Sequence, residues 1–290
     1  KNNNKLFKYD TYINSFLFSS IMGITLTMLM YPISLGLSNY SGIFDNPNNL
    51  GVFVSVATLI FLFLLIRNIL VKDVFLIVIY SILSVFSLYL VSISASRTAL
   101  IGLGTSMFIL LLIIFIKQVS LGKITIKWML LSIFSPIIIL LIFVIFLNSP
   151  LYVAFEENFV AKSISRGSDV TAGRTIIWES IIKNTPFFGS KDTSVKELLG
   201  FSAHNSYLSI LDTYGWIPAI LYTLFWIFSF IKSIRQFMNT KQNRLQNAFA
   251  VTSIALFMSM SMMEVLTHTL AVYVGLSGVA ILQINDKELK

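Results

Sequence analysis

The stretch Leu50–Arg67 reads LGVFVSVATLIFLFLLIR, an apolar run with its one charge at the very end. It has no polar–apolar alternation, and it is close to the roughly 20 residues that a helix needs to cross a bilayer. Runs of the same kind recur along the chain. They predict eight spans, at Asn14–Leu37, Leu50–Arg67, Asp73–Ile93, Thr98–Ile116, Trp128–Leu147, Ser206–Ile231, Leu245–Met263 and Thr267–Gln283. Only a short polar break at Glu264–Thr267 separates the last two.

The 290-residue composition agrees. Hydrophobic residues make up 56%, charged residues 12%, and the mean hydropathy is +0.82. A soluble domain carries about 25% charged residues, so a water-soluble or disordered chain is excluded. The net charge of +8 does not point to nucleic acid, because a nucleic-acid binder gathers its basic residues on one solvated face. Here they fall in small groups between the apolar runs. The chain has no cysteine, which excludes disulfides, thiolate chemistry and cysteine-held metals. It opens on Lys1 without a methionine or a cleavable signal peptide, and is expected to be the later part of a longer protein.

Lysine and arginine mark cytoplasmic loops. Lys1, Lys5 and Lys8, then Arg67 and Lys72, then Lys117, Lys123 and Lys127, then Lys232, Arg235, Lys241 and Arg244, and finally Lys287 and Lys290 all fall on one side if eight spans alternate. That places the amino terminus inside. Arg97 is the exception among the short outer loops. The predicted organisation is a bundle of five spans over residues 1–147, a long extracytoplasmic loop with interfacial helices over 148–205, and three spans over 206–290. Within the loop, Arg174 to Lys183 is expected to be a helix with Ile177, Trp178, Ile181 and Ile182 on one apolar face, suited to lie along the membrane surface. Pro186 and Gly189 then break the chain. There is no internal repeat to support an inverted-repeat transporter.

Charge within a bilayer is expensive and usually functional. The spans are almost free of it, with Asp212 about two turns into the sixth and Glu264 near the outer end of the seventh. The remaining unusual polar residues, Arg97, Arg166, Arg174, His204, Asn205 and His268, gather on the outer side. That distribution fits chemistry at the outer surface better than ion or proton transport through the midplane. Arg97 reads either as a snorkelling helix-end arginine or as a planar fork of donors for phosphate oxygens. Arg174 reads either as a lipid-headgroup contact or as an anion ligand in the first turn of a helix. Arg166 reads as a solvated loop charge. His204 is either an interfacial structural residue or a proton acceptor near neutral pH. Glu264 and His268 are spaced to pair as neighbours at a helix end. Gly-rich phosphate loops, His-Glu-x-x-His, Gly-x-Ser-x-Gly elbows and Asp-x-Asp pairs are all missing from the sequence. Glu156-Glu157 reads as a solvated face.

Four segments carry a resemblance. They are Gly42-Ile43-Phe44-Asp45-Asn46-Pro47-Asn48-Asn49-Leu50-Gly51, then Ser96-Arg97-Thr98-Ala99, then Gly173-Arg174-Thr175-Ile176-Ile177-Trp178 with Pro186-Phe187-Phe188-Gly189, and then Ala203-His204-Asn205-Ser206-Tyr207-Leu208 followed by Gly215. In type, order and spacing the chain resembles the O-antigen ligase and Wzy-type polysaccharide polymerase superfamily of membrane glycosyltransferases. The likeness covers roughly Ser41 to Pro218. It departs where family members often have Gly-x-Gly after the proline and this chain has Gly189-Ser190-Lys191.

The resemblance implies an all-α, polytopic, GT-C-like glycosyltransferase that lacks some amino-terminal helices of the full protein. It implies a bacterial plasma (inner) membrane location and an active site on the extracytoplasmic face. The expected reaction is metal-independent and needs no cofactor. It transfers a glycan, with inversion, from a polyprenyl-diphosphate donor to an acceptor sugar hydroxyl. His204 would be the base, and Arg97, Arg174 and Arg166 would hold the donor diphosphate. Asn205, Tyr207, Asn48, Asp212 and Glu264 would contact the acceptor or shape the site. The partners would be lipid-linked oligosaccharides, membrane lipids and other polysaccharide assembly proteins, with no nucleic acid. Polymerisation of surface polysaccharide such as capsule is the first reading. Ligation of the glycan to a different acceptor is the second, and a lipid-linked oligosaccharide transporter the third.

Overall fold

The structure, a computed structural model, describes residues 3–33, 39–120, 174–189, 203–239, 244–266 and 269–286. Every regular element among these is an α-helix: α1 Asn3–Met30, α2 Pro47–Val71, α3 Val74–Ile93, α4 Arg97–Ser120, α5 Arg174–Asn184, α6 Ser206–Tyr214, α7 Trp216–Asn239, α8 Arg244–Ser261 and α9 Leu270–Asp286. Among the described residues, five stretches are long and apolar enough to cross a membrane: Thr11–Met30 of α1, α2, α3, Arg97–Val119 of α4, and α7. Large apolar side chains such as Phe75, Val85, Phe108 and Phe228 face outward, as lipid contact demands and water contact would not. This is the build of a multi-pass membrane protein.

The α2 helix is central and buried on nearly all sides, from Leu50 to Leu64. A helix that is apolar all round belongs inside. Its small polar residues satisfy themselves at close range. Ser55 Oγ donates to the Gly51 carbonyl at 2.8 Å, and Thr58 Oγ1 reaches Ser87 of α3 at 2.9 Å. Such residues let membrane helices approach closely. A tight turn joins α2 to α3. Lys72 closes α2 with a left-handed backbone, and the Asp73 carboxylate accepts the Leu76 amide at 3.1 Å to open α3. Against α2 lie α8 and α9, with Phe63 and Phe249 edge to face at 4.9 Å and Trp226 of α7 over Phe257 at 4.2 Å. At the end where α4 and α7 finish, buried Lys117 donates to the Phe237 carbonyl.

The helices alternate in direction, so the starts of α2 and α4 share one end of the bundle with the ends of α3 and α8. Tyr40 ties α1 to that end, its amide donating to the Ile93 carbonyl at 3.2 Å and its hydroxyl to the Tyr31 carbonyl.

Several predicted spans hold with shifted ends. The first starts earlier and stops at Met30, ahead of Pro32, and the second runs over Pro47–Val71. The predicted fifth span, Trp128–Leu147, and most of the 148–205 loop lie outside the described residues. The predicted seventh and eighth spans form two separate helices, α8 ending at Ser261 and α9 starting at Leu270, both shorter than the five membrane-length stretches. The predicted sixth span is not one helix. Gly215 divides it into α6 and the membrane-length α7, so Asp212 lies on the short helix ahead of the crossing and not two turns inside it.

The break is held by the Pro186–Gly189 turn. The Trp216 amide donates to the Phe187 carbonyl at 3.1 Å, and a Cβ on Gly215 would lie 2.3 Å from the Gly189 nitrogen. Gly215 also has φ 88° and ψ −175°, a region essentially restricted to glycine. The α5 helix forms as expected. Its Ile177 and Ile181 pack with Leu208, Leu211 and Trp216 of α6 and α7, while Ile182 of the same expected face stays exposed.

Gly215→Ala meets both obstacles, left-handed backbone and filled space. It is expected to destabilise the protein by roughly 1–3 kcal/mol, read as a lower melting temperature in detergent. An unchanged melting temperature would show that the two turns are not in contact.

Candidate active site

Residues of three of the four segments meet at the turn that follows α8. The last amides of that turn bond back into the helix, Met263 and Glu264 both donating to the Met260 carbonyl at 3.0 Å. The next carbonyls have no intrahelical partner, the ordinary condition of a helix C-terminus. Three side chains take them in succession. Asn205 Nδ2 donates to the Met262 carbonyl at 3.1 Å, Arg174 Nη1 to the Met263 carbonyl at 3.0 Å, and Ser206 Oγ to the Glu264 carbonyl at 2.9 Å. Ser206 Oγ also accepts the Leu266 amide at 2.9 Å. Arginine at the negative end of α8 is electrostatically favourable, and this contact gives Arg174 a structural partner as well as any chemical role.

His204 stands beside this turn. Its Nδ1 lies 2.9 Å from Oε1 of Glu264, and Glu264 Oε2 accepts a longer bond of 3.4 Å from Asn48 Nδ2. Glu264 pairs with His204, 60 residues away in sequence. Glu264 sits in an irregular turn and not on a helix, which removes the helical spacing to His268 that the expectation assumed. His268 itself lies outside the described residues.

The backbone of His204 is left-handed, with φ 45°, which costs a non-glycine residue on the order of 1 kcal/mol. Its neighbours hold it there. Trp178 Nε1 donates to the Ala203 carbonyl at 2.7 Å, and Asn205 Oδ1 caps α6 by accepting the Tyr207 and Leu208 amides at 2.9 and 3.1 Å.

The other segments begin helices in the same way. Asn46 caps α2 by accepting the Asn48 amide at 2.6 Å, with Pro47 in the first helical position. Ser96 Oγ accepts the Ala99 amide at 3.3 Å, which makes Arg97 the first residue of α4. The two starts touch, since a Cβ on Gly51 would lie 2.3 Å from Ser96 Cβ. Arg174 is likewise the first residue of α5. Helix starts carry positive partial charge and unsatisfied amides. A cation in that position works against its own helix and favours a neighbouring anion. Four helix starts, two led by arginine, thus lie at one end of the bundle around a paired histidine and carboxylate.

Arg174, His204, Asn205, Asn48 and Glu264 are linked through this turn, and Arg97 opens α4 at the same end of the bundle. Tyr207 lies next to it, half-buried, with its ring edge to face on Tyr222 at 5.6 Å. Burial holds its phenol above the ordinary range, and Tyr222 adds to the shift. Asp212 is buried further along α6, and Arg166 lies outside the described residues. Ser206 and Trp178 are the contributors that residue-by-residue reading passes over. Both stand within the quoted segments, but a hydroxyl and an indole have no signature of their own. Among the described residues, no three histidine or carboxylate side chains converge in a way that would hold a metal.

No protein-family model, curated protein or solved structure matches the chain.

Ser206→Ala removes one donor and one acceptor from a fully buried position, leaving the Glu264 carbonyl and Leu266 amide unpaired at a cost of about 1–3 kcal/mol. Hydrogen exchange at the Leu266 amide should quicken markedly. Exchange as slow as in the wild type would mean that Ser206 does not hold the turn.

Proposed function

We propose that the protein is a polysaccharide polymerase of the O-antigen ligase and Wzy-type superfamily, acting at the outer face of the bacterial plasma membrane. It joins a lipid-linked glycan to the next lipid-linked repeat unit. The observation that carries this reading is the meeting of three of the resembling segments at one turn, where His204 is paired with Glu264, with the fourth packed against the start of α2 beside it. Orientation is supported by Arg67, Lys72, Lys117, Lys232 and Arg235 lying toward the opposite ends of their helices, the pattern of a cytoplasmic side.

In the proposed reaction the acceptor hydroxyl oxygen attacks the anomeric carbon of the donor. The bond from that carbon to the diphosphate oxygen breaks, and the leaving polyprenyl diphosphate keeps the electron pair. The hydroxyl proton passes to His204, and the anomeric configuration inverts. Negative charge develops on the diphosphate. Arg97 and Arg174, with the helix starts beneath them, stabilise it, and each fixed donor of this kind is worth on the order of 10²–10³ in rate. A positioned base contributes about 10²–10⁴. With two guanidiniums neutralising the leaving group, the step does not call for a divalent metal.

The test is the envelope glycan of a strain deleted for this gene. Single repeat units on the carrier lipid are expected, whereas full-length chains left on the lipid would assign ligation instead. Complementation with His204→Ala should restore neither chain length nor turnover while donor binding persists. Arg97→Ala and Arg174→Ala should weaken both binding and turnover, and lysine at either position should restore only part, because it keeps the charge and loses the fork. A His204→Ala protein that polymerises at the wild-type rate would remove His204 from the mechanism.

A further inference from the structure

We propose that Glu264 is a positioning residue that holds the His204 ring in one tautomer, with the proton on Nδ1 and the lone pair on Nε2. The geometry assigns the roles. An ionised carboxylate only accepts hydrogen bonds, so at 2.9 Å from Glu264 Oε1 the Nδ1 atom carries the hydrogen. The Glu264 side chain is 11% exposed and that of His204 35%. The carboxylate is thus the more buried member of the pair, and with Nδ1 on Glu264 the nitrogen left for another partner is Nε2.

Glu264 is itself restrained at two points, and its turn at a third. Asn48 reaches its second oxygen, Ser206 Oγ binds its carbonyl, and the same Oγ takes the amide two residues later. The ring's partner, in the turn after α8, is thus held by residues of α2 and α6. A solvated neutral histidine prefers the proton on Nε2. An Nδ1–H ring is the less common form and needs a fixed acceptor, which is the role of the carboxylate in a serine-protease triad and behind metal-bound histidines. A neutral ring with its lone pair on Nε2 and its Nδ1–H on a carboxylate is prepared to take a proton and to be stabilised as it becomes charged.

The tautomer stands on geometry alone, while its catalytic consequence rests on the proposed function. The chain has two histidines, His204 and His268. Protein labelled with ¹⁵N-histidine in nanodiscs therefore gives two ring spectra, and His268→Gln assigns them. In its neutral form the His204 ring is expected to show a protonated Nδ1 and a bare Nε2. In Glu264→Gln and Glu264→Ala that population should move toward Nε2–H. In the polymerisation assay the same variants should lose kcat by on the order of 10²–10⁴ with KM for the donor little changed, and Glu264→Asp should recover part of the loss.

A wild-type His204 found as the Nε2–H form, or a tautomer unmoved by Glu264→Gln, would overturn the inference. The wild-type spectrum alone decides the first of these, even if the variants fail to fold. Failure of the functional reading has a different signature: the Nδ1–H ring would be present while His204→Ala kept full activity.

Discussion

Three successive carbonyls beyond the end of α8 hold this molecule's polar end together. In water such groups would find solvent. At the end of a membrane bundle they are satisfied by Asn205, Arg174 and Ser206, and each unmet group would carry a desolvation cost. The three donors come from two separate elements, α5 and the start of α6. Satisfying one helix end therefore fixes where the loop helix and the broken span sit. It also brings Glu264 to His204 and, through Asn48, to the start of α2. Catalytic constellations need supporting contacts of this kind, because a base misplaced by about 1 Å can lose 10²-fold in rate.

The break at Gly215 follows the same rule. Irregular backbone near a membrane is tolerated where protein covers it. The Trp216 amide finds the Phe187 carbonyl, and two glycines make room for the approach of the two backbones. The Pro186–Gly189 turn thus has a structural reason for its glycine. The break lets α6 be a short helix that presents its capped start, with His204 and Asn205, at the polar end, while α7 alone crosses the bilayer.

Most of the helical architecture was legible in the sequence because it depends on a local quantity, the length of an apolar run. Leu50–Arg67 and Asp73–Ile93 needed nothing else. The split of the sixth span was not legible in that way. Leu208, Ile210, Leu211, Ile217 and Ile220 continue the apolar pattern through Gly215, and what breaks the helix is a turn some 26 residues upstream. For the same reason Asp212 looked deeper than it is. In the site, Arg97, Arg174, His204 and Asn205 could be picked out by residue type and by segment. The partner of Glu264 could not. His268 lies at helical spacing, but the chain leaves the helix at Ser261, and the carboxylate turns to a residue 60 positions away.

The proposed chemistry stands or falls on whether lengthening of the glycan is coupled to release of the lipid. Purified protein in liposomes, supplied with polyprenyl-diphosphate-linked repeat units and no divalent metal, provides the measurement. Glycan length and free polyprenyl diphosphate are followed together, and the anomeric configuration of the new linkage is determined. The expected result is one polyprenyl diphosphate released for each linkage formed, with the configuration inverted. Lipid-linked units that cross the bilayer with neither release nor lengthening would contradict it and identify a transporter.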